Sequence, residues 1–111
     1  MLDEKQFDKL AAAVFDRVLE AFDDVDPDQV EATPSAGVVK FDFQGRRRPW
    51  ILSTQRAVRQ LWLAAEQRAW HFAHRGEPDE QAWFEHKSGE ELFATLRGLL
   101  AEHEGVDVSF D

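Results

Sequence analysis

The sequence predicts an α+β fold, a two-layer sandwich in which two terminal helices pack on one face of a five- to six-stranded antiparallel sheet. Three observations carry this. Apolar residues recur at helical spacing only near the two ends of the chain, over residues 3–24 and again after residue 88. The stretch between them alternates apolar and polar residues and is broken by Gly and Pro turns, the period of half-buried strands. A chain of 111 residues supports one domain, 1–111, with one modest core.

Each element has its own signal. Asp3 with Gln6 three residues on forms a capping-box pattern that starts the first helix. Phe7, Leu10, Ala11, Val14, Val18 and Phe22 then make one apolar stripe, and Asp26-Pro27-Asp28 ends the helix because proline disfavours helical geometry at the residue before it. Val30 and Ala32 suggest a short strand, and Pro34-Ser35-Ala36-Gly37 a turn. Val39, Phe41 and Phe43 alternate with Lys40, Asp42 and Gln44 in a second strand; Gly45 and Arg46-Arg47-Arg48 mark a hairpin tip. Returning strands are predicted at 49–53, 59–64 and 69–74, with a last short one at 82–85. Ser88 and Glu91 read as the capping box of a second helix, whose apolar face is Leu92, Phe93, Leu96, Leu99 and Leu100. Gly105 stops it near residue 104, and the apolar tail 106–110 packs back on the body.

Composition removes whole classes of function. The absence of cysteine excludes disulfides, thiolate metal sites, iron–sulfur ligation and cysteine nucleophiles. No apolar run approaches the roughly 18 residues of a membrane span. The N-terminus lacks the pattern of a signal or transit peptide, so the expectation is a cytoplasmic protein with no membrane partner. No serine stands in a plausible nucleophilic arrangement, no glycine-rich phosphate loop exists, and the four histidines fit no zinc spacing. On one strand His71 and His74 point to opposite faces. The expectation is therefore a non-enzymatic protein.

The net charge of −9 is strongly segregated. Residues 1–31 carry −7, residues 32–75 carry +6, and residues 76–111 carry −8. From Glu20 to Glu31 there are six acids and no base. Like charges so close repel and cost stability, so a base-free run calls for a reason. Helical geometry places Asp16, Glu20 and Asp23 opposite the apolar stripe, with Asp24 on its flank. Asp24, Asp26 and Asp28 mimic the start of an EF-hand loop, but Gln29 stands where glycine is needed and Ser35 where glutamate is needed. What remains is an open carboxylate surface, suited to hard cations held weakly or to a basic protein surface; a plain solvated helix face is the alternative.

Trp62 alternates with Leu61 and Leu63, so if the leucines face the helices the indole faces solvent from the open sheet. An indole there is an interface anchor. The arginines of the middle segment share that region with Trp50, Trp62 and Trp70, an arrangement used by RNA-binding sheets, but no RNP-type sequence accompanies it and the surrounding acids oppose a phosphate backbone. No nucleic-acid partner is expected, and the arginines are read as balancing the acidic face or meeting an acidic protein surface.

The acidic first helix and strand, then Gln55 and Gln60-Leu61-Trp62-Leu63-Ala64, then Trp70-His71-Phe72, Trp83 and Ser88-Gly89-Glu90, together resemble the frataxin family, its short bacterial members above all. The resemblance spans Phe7 to Phe110. It implies the sandwich already read from the pattern, weak binding of Fe2+ and Fe3+ with other divalent cations possible, and regulation of iron–sulfur cluster assembly with iron supply as an added role. Implied partners are a cysteine desulfurase at the acidic ridge and an iron–sulfur scaffold protein at the sheet; the implied state is a monomer, with iron-induced oligomers. By position the ridge is Glu20, Asp23, Asp24, Asp26, Asp28 and Glu31, with Asp16 added by helical geometry, and the sheet surface is Gln55, Gln60 and Trp62. Glu20, Asp23 and Asp24 would serve both the metal and the desulfurase. The alternatives are an iron-oxidising, iron-storing protein and a sheet-based RNA-binding module. The chain departs from the family pattern at Leu19, Ser53, Ala57 and Ala73, at Asp8 where some relatives place histidine, and in a small insertion at Glu77–Gln81.

Overall fold

In the computed structural model, which describes residues 2–45 and 48–110, α1 runs from Glu4 to Ala21 and tightens into a 3-10 turn at Phe22–Asp24. Its start is the predicted capping box. Gln6 N–H donates to Asp3 at 2.7 Å, and the Gln6 side chain accepts from Asp3 N–H at 3.0 Å. Six strands follow: β1 Val30–Ser35, β2 Val38–Phe43, β3 Trp50–Gln55, β4 Gln60–Ala65, β5 Arg68–His74 and β6 Trp83–Glu85. They form one antiparallel meander in sequential order. α2, Leu92–Glu104, closes the chain and ends at Gly105, whose φ of +64° is the left-handed C-terminal cap that only glycine adopts without strain.

The register sorts the side chains into two faces. Trp50, Leu52, Leu61, Leu63, Trp70 and Phe72 point toward the helices and are at most 2% exposed, packing with Phe7, Val14 and Val18 of α1 and Leu92, Leu96 and Leu100 of α2. The tail joins this core through Val106, Val108 and Phe110. Arg17 holds it there: its Nε donates to the Phe110 carbonyl, and its guanidinium lies 4.7 Å from the centre of the Phe93 ring.

Four expectations are corrected. β1 continues through Pro34 to Ser35, leaving Ala36-Gly37 as the turn; proline is tolerated because β1 is an edge strand. Arg59 is not in β4; it adopts a left-handed conformation, φ +53°, between the 3-10 turn Arg56–Val58 and the strand. The second helix is capped by Glu91, not Ser88. The Glu91 carboxylate accepts from Phe93 and Ala94 N–H, whereas Ser88 Oγ accepts from Glu90 N–H within the preceding turn. Residues after Gly89 are drawn back along β6 by Glu85 N–H to Glu90 O, which delays the helix. Finally, Trp50 and Trp70 do not share a surface with Trp62, because their strand parity turns them inward. Of the expected hairpin-tip arginines, Arg46 and Arg47 lie outside the described residues.

Candidate functional site

Two surfaces gather the residues singled out from the sequence. The first is the C-terminal end of α1 with the loop into β1. Asp16, Glu20, Asp23, Asp24, Asp26, Asp28 and Glu31 are all exposed, and among the described residues none forms an ion pair. Asp26 accepts the Asp28 N–H at 2.9 Å, which fixes the loop between the helix and β1.

This distribution opposes helix electrostatics. The C-terminal end of a helix carries partial negative charge and favours cations, yet α1 has no base in its last turn and is followed directly by Asp23 and Asp24. Its N-terminal acids, by contrast, are partnered. Arg56 reaches across from the β3–β4 connection to Glu4 at 2.9 Å and to Asp8 at 3.0 Å. The hydrogen bond with Asp8, reinforced by the charges of Asp8 and Glu4, raises the Arg56 pKa further. The chain thus balances one end of the helix and leaves the other bare. Residues that break a local rule with no compensating contact mark functional positions.

The ridge continues onto the tail. A groove of about 450 Å³ lies between α1 and residues 107–110, with Glu20, Asp24 and Asp107 on its rim and Arg17 at its side. Asp107 escaped the sequence reading, although its signal is there: it is the exposed residue between buried Val106 and Val108. Among the described residues no three Asp, Glu or His side chains come together as a group able to hold a metal ion. The donor set is one of separate, hydrated carboxylates. That suits loose association of hard cations and Coulombic docking of a basic surface, and it does not suit a closed coordination cage.

The second surface is the open sheet face. Ser53, Trp62 and His71 stand opposite one another on β3, β4 and β5, and Gln55 pairs with Gln60 one step along. Trp62 is partly buried on this outer face, where the His71 ring stacks on it with centroids 4.1 Å apart and planes inclined by 13°. The indole N–H donates to Gln60 Oε1 at 2.8 Å, and Gln55 Nε2 donates to Ser53 Oγ at 3.3 Å. Trp62 is therefore a held, flat anchor with one face covered by imidazole. His71 was legible only as a strand residue, because a cross-strand partner needs the register. His74, on the other face, meets Trp83 edge-on and donates from Nε2 to the Glu80 carbonyl at 2.6 Å.

The chain as a whole has counterparts in known proteins. A family profile described as Frataxin-like domain matches residues 1–106. This chain belongs to the frataxin family. It is 30% identical over 112 residues to the iron–sulfur cluster assembly protein CyaY of Cupriavidus taiwanensis, covering 98% of this chain and 96% of that one. It is 35% identical over 109 residues to the protein of the same name from Pseudomonas syringae pv. syringae, with 98% and 96% covered. A solved frataxin from Psychromonas ingrahamii superposes with a TM-score of 0.86 over 99% of both chains at 18% identity, so that likeness speaks for the fold. Its two-layer α+β sandwich is the one expected from the order of helix, sheet and helix. Among the described residues no helix is long and apolar enough to cross a membrane.

Proposed function

We propose that this frataxin-family chain is an iron-binding, non-enzymatic regulator of iron–sulfur cluster assembly that acts in the cytoplasm by docking a cysteine desulfurase and a scaffold protein. The carrying observation is the unpaired ridge at the negative end of α1, where Asp16, Glu20, Asp23, Asp24, Asp26, Asp28 and Glu31 form no ion pair among the described residues. A basic patch on the desulfurase supplies the opposite charge. Iron is cargo on the same carboxylates, held loosely because they are exposed and do not converge. Iron and desulfurase then compete for Glu20, Asp23 and Asp24, which makes iron a modulator of docking. The sheet face, with Gln55, Gln60 and Trp62, meets the scaffold protein. An indole already held by Gln60 and His71 loses little freedom on binding, which favours a rigid anchor.

The test is replacement of Glu20, Asp23 and Asp24 together by Lys. The expected result is loss of desulfurase binding in a chain that still folds; unchanged binding would overturn the reading.

A further inference from the structure

At the end of α1 remote from the ridge lies a cavity of about 740 Å³, between the β3–β4 connection and the loop after β5. Leu2, just before α1, is in its wall, and Glu4 to Glu20 spans about 24 Å of helix axis between this end and the ridge. Its apolar lining includes Val58, which is 56% exposed and is the exposed large hydrophobic side chain among the described residues. Pro78 adds to the apolar lining. Two arginines, Arg59 and Arg75, line the same space together with His74, and Glu77 is the acid among the lining residues.

Arg59 is the informative residue. Its backbone sits at φ +53°, a left-handed conformation costly for a side-chain-bearing residue. Its Nη1 donates to the carbonyls of Arg56 and Ala57, both at 3.0 Å, which fixes the plane of the group. Its Nε is shut away from water and has no hydrogen-bond partner. With Nε enclosed and Nη1 donating to two carbonyls, Nη2 is the nitrogen that remains to meet a carboxylate in the cavity. Arg75 provides a second positive charge, its guanidinium lying 5.4 Å from the Phe84 ring centre. The imidazole of His74 is committed to the Glu80 carbonyl and serves as wall.

The geometry points to this cavity as a binding site for a small organic carboxylate, its apolar body against Leu2, Val58 and Pro78 and its carboxylate on Arg59 with Arg75 adding charge. The volume falls in the usual range for small-molecule sites, about 300–1,000 Å³. Glu77 disfavours compact polyanions and favours a monoanion with an apolar body. The site is remote from the ridge and borders the open sheet face at Ala73, which stands opposite Gln60.

The probe is hexanoate, titrated into the full chain and followed by amide NMR, with hexanamide and inorganic phosphate as comparisons. Saturable shifts are expected at Ala57, Val58, Arg59, Arg75 and Gly76, with hexanamide and phosphate each weaker by about tenfold. Arg59→Gln and Arg75→Gln should each weaken hexanoate about tenfold, and Arg59→Lys should recover only part of that loss, because an ammonium lacks the planar group. Lys40→Gln, on the open sheet face, should leave the affinity unchanged. The proposal is overturned if hexanoate gives no saturable shift up to about 20 mM, if hexanamide binds equally well, or if both Gln variants bind like the parent. Should Arg59→Gln fail to fold, Arg75→Gln and the hexanamide comparison decide the matter alone.

Discussion

Trp62→Ala separates an anchor on the open face from a structural tryptophan, and the structure sets the scale. A fully buried tryptophan removes about 150–250 Å² from water. Trp62 is only partly buried, so about 100 Å² is lost on truncation, an upper bound near 2.5 kcal/mol at about 25 cal/mol per Å² and closer to 1.5–2 kcal/mol for a compact unfolded state. Trp50, 1% exposed in the core, costs about 3–5 kcal/mol when cut to alanine. Against a typical total of about 5–15 kcal/mol, Trp62→Ala stays folded, with Tm lower by about 6–10 °C. The stack with His71 adds a coupling of about 0.5–1.5 kcal/mol in a double-mutant cycle with His71→Ala. Urea denaturation of the four proteins, with the slope m checked for constancy, measures both quantities. A cost for Trp62→Ala equal to that of Trp50→Ala, or a coupling of zero, would refute the assignment of the indole to the outer face.

Further outcomes follow from single side chains. The Glu85 carboxylate, 8% exposed, accepts from the N–H groups of His71 at 3.0 Å, Lys87 at 2.7 Å and Ser88 at 3.4 Å, and the first of these does most to hold its pKa below the ordinary 4.5. Because the folded value is the lower one, this stabilisation is present above about pH 4.5 and is lost as the pH falls through the folded value. Glu85→Gln should therefore lower Tm at pH 7 and flatten the acid limb of a Tm–pH curve; an acid limb identical to the parent's would count against it. Arg56→Ala removes exposed pairs to Glu4 and Asp8, so it should lower Tm only slightly, and less still in high salt. The Lys replacements at Glu20, Asp23 and Asp24 should raise stability by about 0.5–2 kcal/mol at low ionic strength while removing docking, since they relieve like-charge repulsion and suit the negative helix end. Denaturation at two salt concentrations checks that sign.

The helix stripe from Phe7 to Phe22 and the alternation at Leu61-Trp62-Leu63 were legible in the sequence because burial is set by period, and one parity decision places every side chain of a strand. The Ser88 cap misled because a Ser-x-x-Glu pattern describes local chemistry only, and the pairing of Glu90 with Glu85 across β6 is a longer-range contact that overrides it. Pro34 read as a turn because its sequence does not say whether its strand lies at an edge. The ridge carboxylates were legible as charge without countercharge. His71 against Trp62, Asp107 beside Glu20 and Asp24, and the unmatched Nε of Arg59 depend on register and on how the tail and loops return, none of which is encoded in neighbouring residues.

The central claim, that the bare ridge is where iron and the desulfurase meet the protein, is tested most directly by titrating Fe2+ anaerobically into the chain and reading every amide by NMR. The account predicts paramagnetic broadening that begins at Glu20, Asp23 and Asp24, spreads to Asp16, Asp26, Asp28 and Glu31, weakens with added salt and is absent from the triple Lys variant. Broadening centred instead on His71, His74 or His86, or an undisturbed ridge at saturating iron, would contradict it.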